Sequence, residues 1–226
     1  MLKYAIQNPM NRATRIVASS FGAFAAIGAI EHGIFEIMQG HIAPAGVMIS
    51  SMGPPCVPEE IWNACEPAMT ILPSFLLTGI VAVVLGVIAM VWSLFFIARP
   101  RGGLVLVLLS LAMLLFGGGI FPPVIGMAGG AVGTRINTPI AWWRKRFSGG
   151  AGRFLAALWP WTVIVFFVGL LGQFVVGYFF NDFLLQNGAL ILVLIPLLLF
   201  STVLSAFAWD VQRLSAANSA DRSSSG

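Results

Sequence analysis

The chain has 226 residues, of which 58% are hydrophobic and only 9% charged, and its mean hydropathy is +0.94. A water-soluble domain carries about 25% charged residues, so the polar surface here is too small to coat a globule, and a sizeable soluble domain is excluded. The pI of 9.7 and net charge of +4 raise nucleic-acid binding, but the basic residues sit in short runs beside apolar segments, with no basic patch of interleaved stacking aromatics.

The expected class is therefore an all-α integral membrane protein whose first partner is the lipid bilayer. Residues 1–15 form a basic N-terminus with Lys3, Arg12, Arg15 and no acid. The first span is expected over 16–37. A basic start followed by small residues looks like a signal peptide. The apolar pattern nevertheless continues through Gly33-Ile34-Phe35 with no clean cleavage site, which favours an uncleaved helix. Ala18, Gly22 and Ala26 recur every four residues, a small-residue spacing that lets another helix approach closely.

Residues 38–72 are too polar and Pro-rich to span, and too long for an ordinary connection, so an ordered or functional extracytoplasmic loop is expected. The loop holds Glu59, Glu60 and Glu66 and no Lys or Arg. It also holds both cysteines, Cys56 and Cys65. Two thiols close in sequence, on a face read as oxidising, point to a structural disulfide.

The second span is expected over 73–97, ended by Arg99-Pro100-Arg101-Gly102-Gly103. Glu66 before Pro67 reads as a helix start, a carboxylate at the positive end with proline at the first position. Residues 104–133 carry no charge but are interrupted by Gly117-Gly118-Gly119 and Pro122-Pro123. A straight helix of that length would measure about 45 Å against a hydrocarbon core of about 30 Å. Glycines and prolines in its middle break it into two short helices in a hairpin. The stretch 134–153 is strongly basic, and Trp142-Trp143-Arg144-Lys145-Arg146-Phe147 reads as an interfacial helix. Further spans are expected over 154–180 and 188–209, with a turn between them, and the Ser- and Ala-rich stretch 210–226 as a disordered cytoplasmic tail.

Charge selects the threading. With 104–133 as a single crossing, five cations lie with the N-terminus and seven opposite, against the positive-inside tendency. With a broken hairpin, all 12 Lys and Arg share one face, and Glu59, Glu60, Glu66 and Asp182 share the other. The expected architecture is four transmembrane helices plus a central Gly/Pro-broken hairpin in a cell membrane, both termini cytoplasmic.

Ionisable groups inside a bilayer are costly and need partners or a task. His32, Glu36 and Gln39 fall within about 60° of one helix face, while Glu31 points about 100° from His32. The functional reading brings Glu66 and Thr70 from the loop to meet them, making a vestibule of Glu31, Glu36, Glu66 and one imidazole suited to a cation or an amine. The alternative is a set of polar residues that lock helices together. His41 is a weak third metal ligand beside His32 and Glu36; two ligand-type residues are too few for a metal centre. Gly117, Gly118, Gly119, Pro122 and Pro123 form a second candidate site, since non-helical backbone at membrane depth must be buried or line a wet cavity.

No nucleotide, hydrolase, zinc-protease or haem motif is present, no cofactor is indicated, and the sequence leaves enzymatic activity undecided. Three functions fit. One is transport or binding of a small solute, proton or cation through an outer-facing His/Glu site. Another is a membrane-embedded enzyme acting on a lipid or quinone. The third is a non-catalytic subunit or assembly factor. The small size points to a homo-oligomer or a larger membrane complex.

Overall fold

A computed structural model describes residues 11–51, 62, 66–138, 141–147 and 149–224, with the side chains of 141–142 and 217–224 outside that description. The chain is 79% helical, and four of its helices are long and apolar enough to cross a membrane. In chain order the described helices are α1 (Arg12–Gln39), α2 (Phe75–Val91, continued by a π-helical turn Trp92–Phe96), α3 (Gly102–Leu115), α4 (Phe121–Gly133), α5 (Ala141–Phe147), α6 (Gly150–Phe179) and α7 (Asn181–Ser224), of which α1, α2, α6 and α7 are the four long ones. Between α1 and α2 the loop folds back on itself as an antiparallel pair, β1 (Met48–Ser50) and β2 (Pro67–Met69), with Ile49 opposite Ala68.

α1 is the central helix. Its most apolar window is 56% buried, against 17% in α6 and 28% in α2 and α7. The outward residues of α2, α6 and α7 are large and apolar, among them Phe95, Val168, Phe179, Leu192 and Phe200. That is the surface a helix offers to hydrocarbon, and it places the bundle in a membrane.

Helices in lipid associate through close packing, because lipid tails are as apolar as leucine. The small residues of α1 supply it. A Cβ on Gly33 would stand 2.7 Å from the carbonyl oxygen of Gly79, and one on Gly79 would collide with the carbonyl oxygen of Gly33. The backbones of α1 and α2 therefore touch. The stripe Ala18, Gly22, Ala26 serves three neighbours. Ala18 lies under Gly129 of α4, Gly22 lies against Ser93 in the π turn and Leu106 of α3, and Ala26 meets Gly86 of α2.

The segment 104–133 is a hairpin. α3 and α4 have 14 and 13 residues, about 21 and 20 Å of helix, each short of a full hydrocarbon crossing. The C-terminal end of α3 and the N-terminal end of α4 meet at Phe116–Ile120, which pairs with the loop. Gly117 N–H donates to Met69 O at 2.7 Å, and Thr70 bridges Phe116. Their opposite ends meet the N-terminal end of α1. Asn11 N–H donates to Ile136 O at 2.9 Å, and its side chain to Arg135 O at 2.7 Å. Arg99, Arg101 and Thr134 line one depression there.

The second half of the bundle is the α6–α7 pair. Phe21 of α1 packs on Phe166 and Phe167 of α6 at 5.0 and 6.3 Å between ring centroids. Thr162 and Ser205 hydroxyls join α6 to α7 at 2.7 Å. The loop reaches this half through Trp62, whose backbone N–H donates to Asn181 Oδ1 at 2.8 Å and whose ring covers Gly177 and Gly188.

Several expected boundaries move. α1 starts at Arg12 and α6 at Gly150, each about a turn early. The turn expected over 181–187 is helical from Asn181, with one non-helical residue, Asn187 (φ −112°, ψ 17°). The tail expected to be disordered from residue 210 continues α7 to Ser224, because Asp210 and Val211 are buried and held by the first helix. Cys56 and Cys65, expected to form a disulfide, lie outside the described residues.

The π turn carries one small, checkable contact. The indole N–H of Trp92 donates to Gly102 O at 2.9 Å across the α2–α3 turn. Trp92→Phe keeps an aromatic ring beside Phe96 but loses that bond and part of the indole's packing, so the expected destabilisation is about 1 kcal/mol or slightly more. It would register as a small fall in the thermal midpoint of the purified protein.

Candidate functional site

The two candidate sites are one site. His32 and Glu36, one turn apart on α1, are 1% and 0% exposed. Both face the glycine break between α3 and α4. Gly117 (φ +90°) lies flat against the Glu36 carboxylate, so that a Cβ there would collide with Oε2 and with the methyl of Thr78. Gly119 (φ +81°) lies under the imidazole, where a Cβ would stand 2.6 Å from His32 Nε2. Only glycine takes this left-handed backbone without strain and leaves room for a side chain on top of it. The break is therefore shaped to hold these two groups.

The loop closes the site from the other side. His32 Nε2 meets Glu66 Oε2 at 3.0 Å, with the Glu66 side chain 22% exposed. Ser51 Oγ donates to Glu36 Oε1 at 3.2 Å. Gln39 holds the loop in place, its amide donating to Ser51 O at 2.7 Å and Ser50 O at 3.3 Å. Two buried atoms of His32 and Glu36 have no hydrogen-bond partner among the described residues, Glu36 Oε2 and His32 Nδ1.

Each expected residue has a definite place. His32, Glu36 and Glu66 come together, and Gln39 orders the loop above them. Thr70 is spent on structure. Thr78 Oγ1 donates to Ser74 O at 2.9 Å, so Thr70 gives its proton to Thr78 at 2.8 Å and accepts from Leu72 N at 3.1 Å. Glu31 does not join the vestibule. It is exposed on the stripe of Ile27, Ile34 and Met38, because one residue's step turns it about 100° from His32. His41 is exposed in the loop, and among the described residues no three His, Cys, Asp or Glu gather as a metal set.

Two expected roles change. Glu66 does not start a helix, since Pro67–Met69 pairs with β1; the start is Ser74, whose hydroxyl accepts from Leu77 N at 3.3 Å. Pro122 and Pro123 do not break a helix but open one. They occupy the first turn of α4, where a missing N–H costs nothing, and Pro122 packs on Gly28. Ser51 and Thr78 belong to the site without any local signal in the sequence, being lone hydroxyls brought in by loop folding and helix register.

The electrostatics are one-sided. α2, α3 and α4, the helices packed around Glu36, carry no Lys or Arg, and neither does the loop 38–72. The imidazole is the one group near the two carboxylates that can carry positive charge among the described residues. No protein-family model, no curated protein and no solved structure matches this chain, so the reading of its site rests on this chemistry alone.

Proposed function

We propose that this protein binds a proton or a small cation at the His32–Glu36–Glu66 cluster and carries it across its membrane. One observation supports this above the others: Glu36 is fully buried, accepts one hydrogen bond, and has Oε2 partnerless against Gly117. An ionised carboxylate so placed, with no counter-charge, costs several kcal/mol. A proton or cation has to neutralise it. A residue kept only to pack helices would have both oxygens satisfied. His32 beside Glu66 adds an imidazole, a second group at the site able to hold or pass on a proton. The broken helix contributes backbone dipoles at the same point, as at transporter ion sites. The cationic end of the bundle faces the cytoplasm in this reading, so the cluster lies toward the outer face.

The experiment is flux into proteoliposomes driven by a pH gradient. His32→Ala and Glu36→Gln are each expected to reduce wild-type flux at least tenfold, with yield and elution profile unchanged. Flux equal to wild type in both variants would leave the cluster as a helix lock and overturn the transport reading.

A further inference from the structure

A second space adjoins the cluster. It is a cavity of about 320 Å³ at the seam between the two halves of the bundle, with Glu66 in its wall. Ligand pockets start at about 300 Å³, so a small organic molecule fits. Its walls include Trp62 from the loop, Phe121 at the start of α4, Gln173 of α6, and Ile191 and Leu192 of α7. Among the described residues that line it, Glu66 is the only ionisable one. Phe121 and Leu192 are also exposed on the outer surface, so the cavity opens sideways, toward hydrocarbon.

We infer that this cavity takes a lipophilic organic monocation from the membrane and seats its positive charge on Glu66. The inference rests on the transport reading and names the class of its substrate. Apolar and aromatic walls with one carboxylate at the inner end complement a charge carried on a greasy body, and an aromatic face adds attraction for a cation. The same carboxylate already holds His32. Where the imidazole carries a proton, the organic cation takes its place as the counter-charge of Glu66, and that proton is released to water. One positive charge enters and one leaves, so no net charge is buried, and binding weakens as the pH falls. The groups that set this exchange are few. Glu36 lies one turn from His32 on α1. α2, α3 and α4 carry no ionisable residue, the only charged residue of α6 is Arg153 at its far end, and Asp182 at the start of α7 is exposed. Glu59 and Glu60 lie outside the described residues.

The test is equilibrium binding of radiolabelled methyltriphenylphosphonium to the full chain in lipid nanodiscs, with neutral triphenylphosphine oxide as competitor. Saturable binding with about one proton released per cation is expected. Glu66→Gln should weaken it at least tenfold. So should Ile191→Trp, which fills the cavity and leaves both Glu66 and His32 in place. The neutral competitor should not displace the cation. Displacement by the oxide, or wild-type binding in both variants, overturns the inference and marks a site for neutral lipid. If the cation fails to bind while pH-driven flux still depends on His32, the inference falls and the transport reading stands. If the cation binds without proton release and flux is indifferent to His32 and Glu36, it is the transport reading that fails, and the exchange with it.

Discussion

Gly117→Ala is expected to remove most of the folded protein. At φ +90° an alanine costs about 1–3 kcal/mol of backbone strain. Its methyl would also enter the space held by Glu36 Oε2 and the Thr78 methyl, and overpacking of that kind adds about 1–3 kcal/mol. Neither neighbour can give way. Glu36 is fully buried, and Thr78 is held by hydrogen bonds to Ser74 and Thr70. The measurement is the fraction of protein eluting as a single species after heating. Gly172→Ala is the control. No atom would lie within 4 Å of a Cβ there, and the site is interior to α6, where alanine favours the helix by up to about 1 kcal/mol. A Gly117→Ala protein as heat-resistant as Gly172→Ala would mean that the carboxylate does not rest on the break.

The close fit of carboxylate and glycine explains why two signals in the sequence read as separate sites. Composition and charge carried the membrane class and the hairpin, because both follow from sums over many residues. Helix geometry carried the shared face of His32 and Glu36 and the divergence of Glu31, because α1 is regular. The meeting of that face with Gly117 and Gly119 depends on how far α3 and α4 rise beside α1, and this is set by Gly22 meeting Leu106 of α3 and Ala25 meeting Gly126 of α4. No local pattern encodes such a distance. Glu66 shows the same limit from the other side. Acid followed by proline is a sound local helix start, yet the pairing of Pro67–Met69 with Met48–Ser50 outweighs it. Tertiary contacts routinely override a weak local preference.

Asp210→Ala is expected to cost about 3 kcal/mol or more. The residue sits where composition pointed to disorder, in the Ser- and Ala-rich end of the chain. Its side chain instead caps a helix nearly two hundred residues away. Oδ1 accepts from Ala13 N at 3.1 Å, and Oδ2 accepts from Thr14 N at 2.9 Å and Thr14 Oγ1 at 2.7 Å. α1 has no cap of its own, because the side chain of Asn11, the residue before it, is committed to Arg135 O and Thr138 O. The first amides of a helix need acceptors and favour negative charge. Ala13 and Thr14 are fully buried, so water cannot substitute. Bonds to a charged acceptor contribute about 1.5–3 kcal/mol each, and here up to three are lost while the donors remain buried. Asp210→Asn keeps one acceptor oxygen and turns its amide hydrogens toward the other donors, so it should fall between alanine and wild type. Thermal midpoints of the three proteins should follow that order. The same contact fixes the height of α1 against α7, and through it the position of His32 and Glu36 relative to the seam. Alanine at 210 is therefore expected to lower flux as well as stability, even at temperatures where the protein stays folded. A melting curve unchanged in Asp210→Ala would place the anchor of α1 elsewhere, and the Phe21–Phe166 contact would be the next to test.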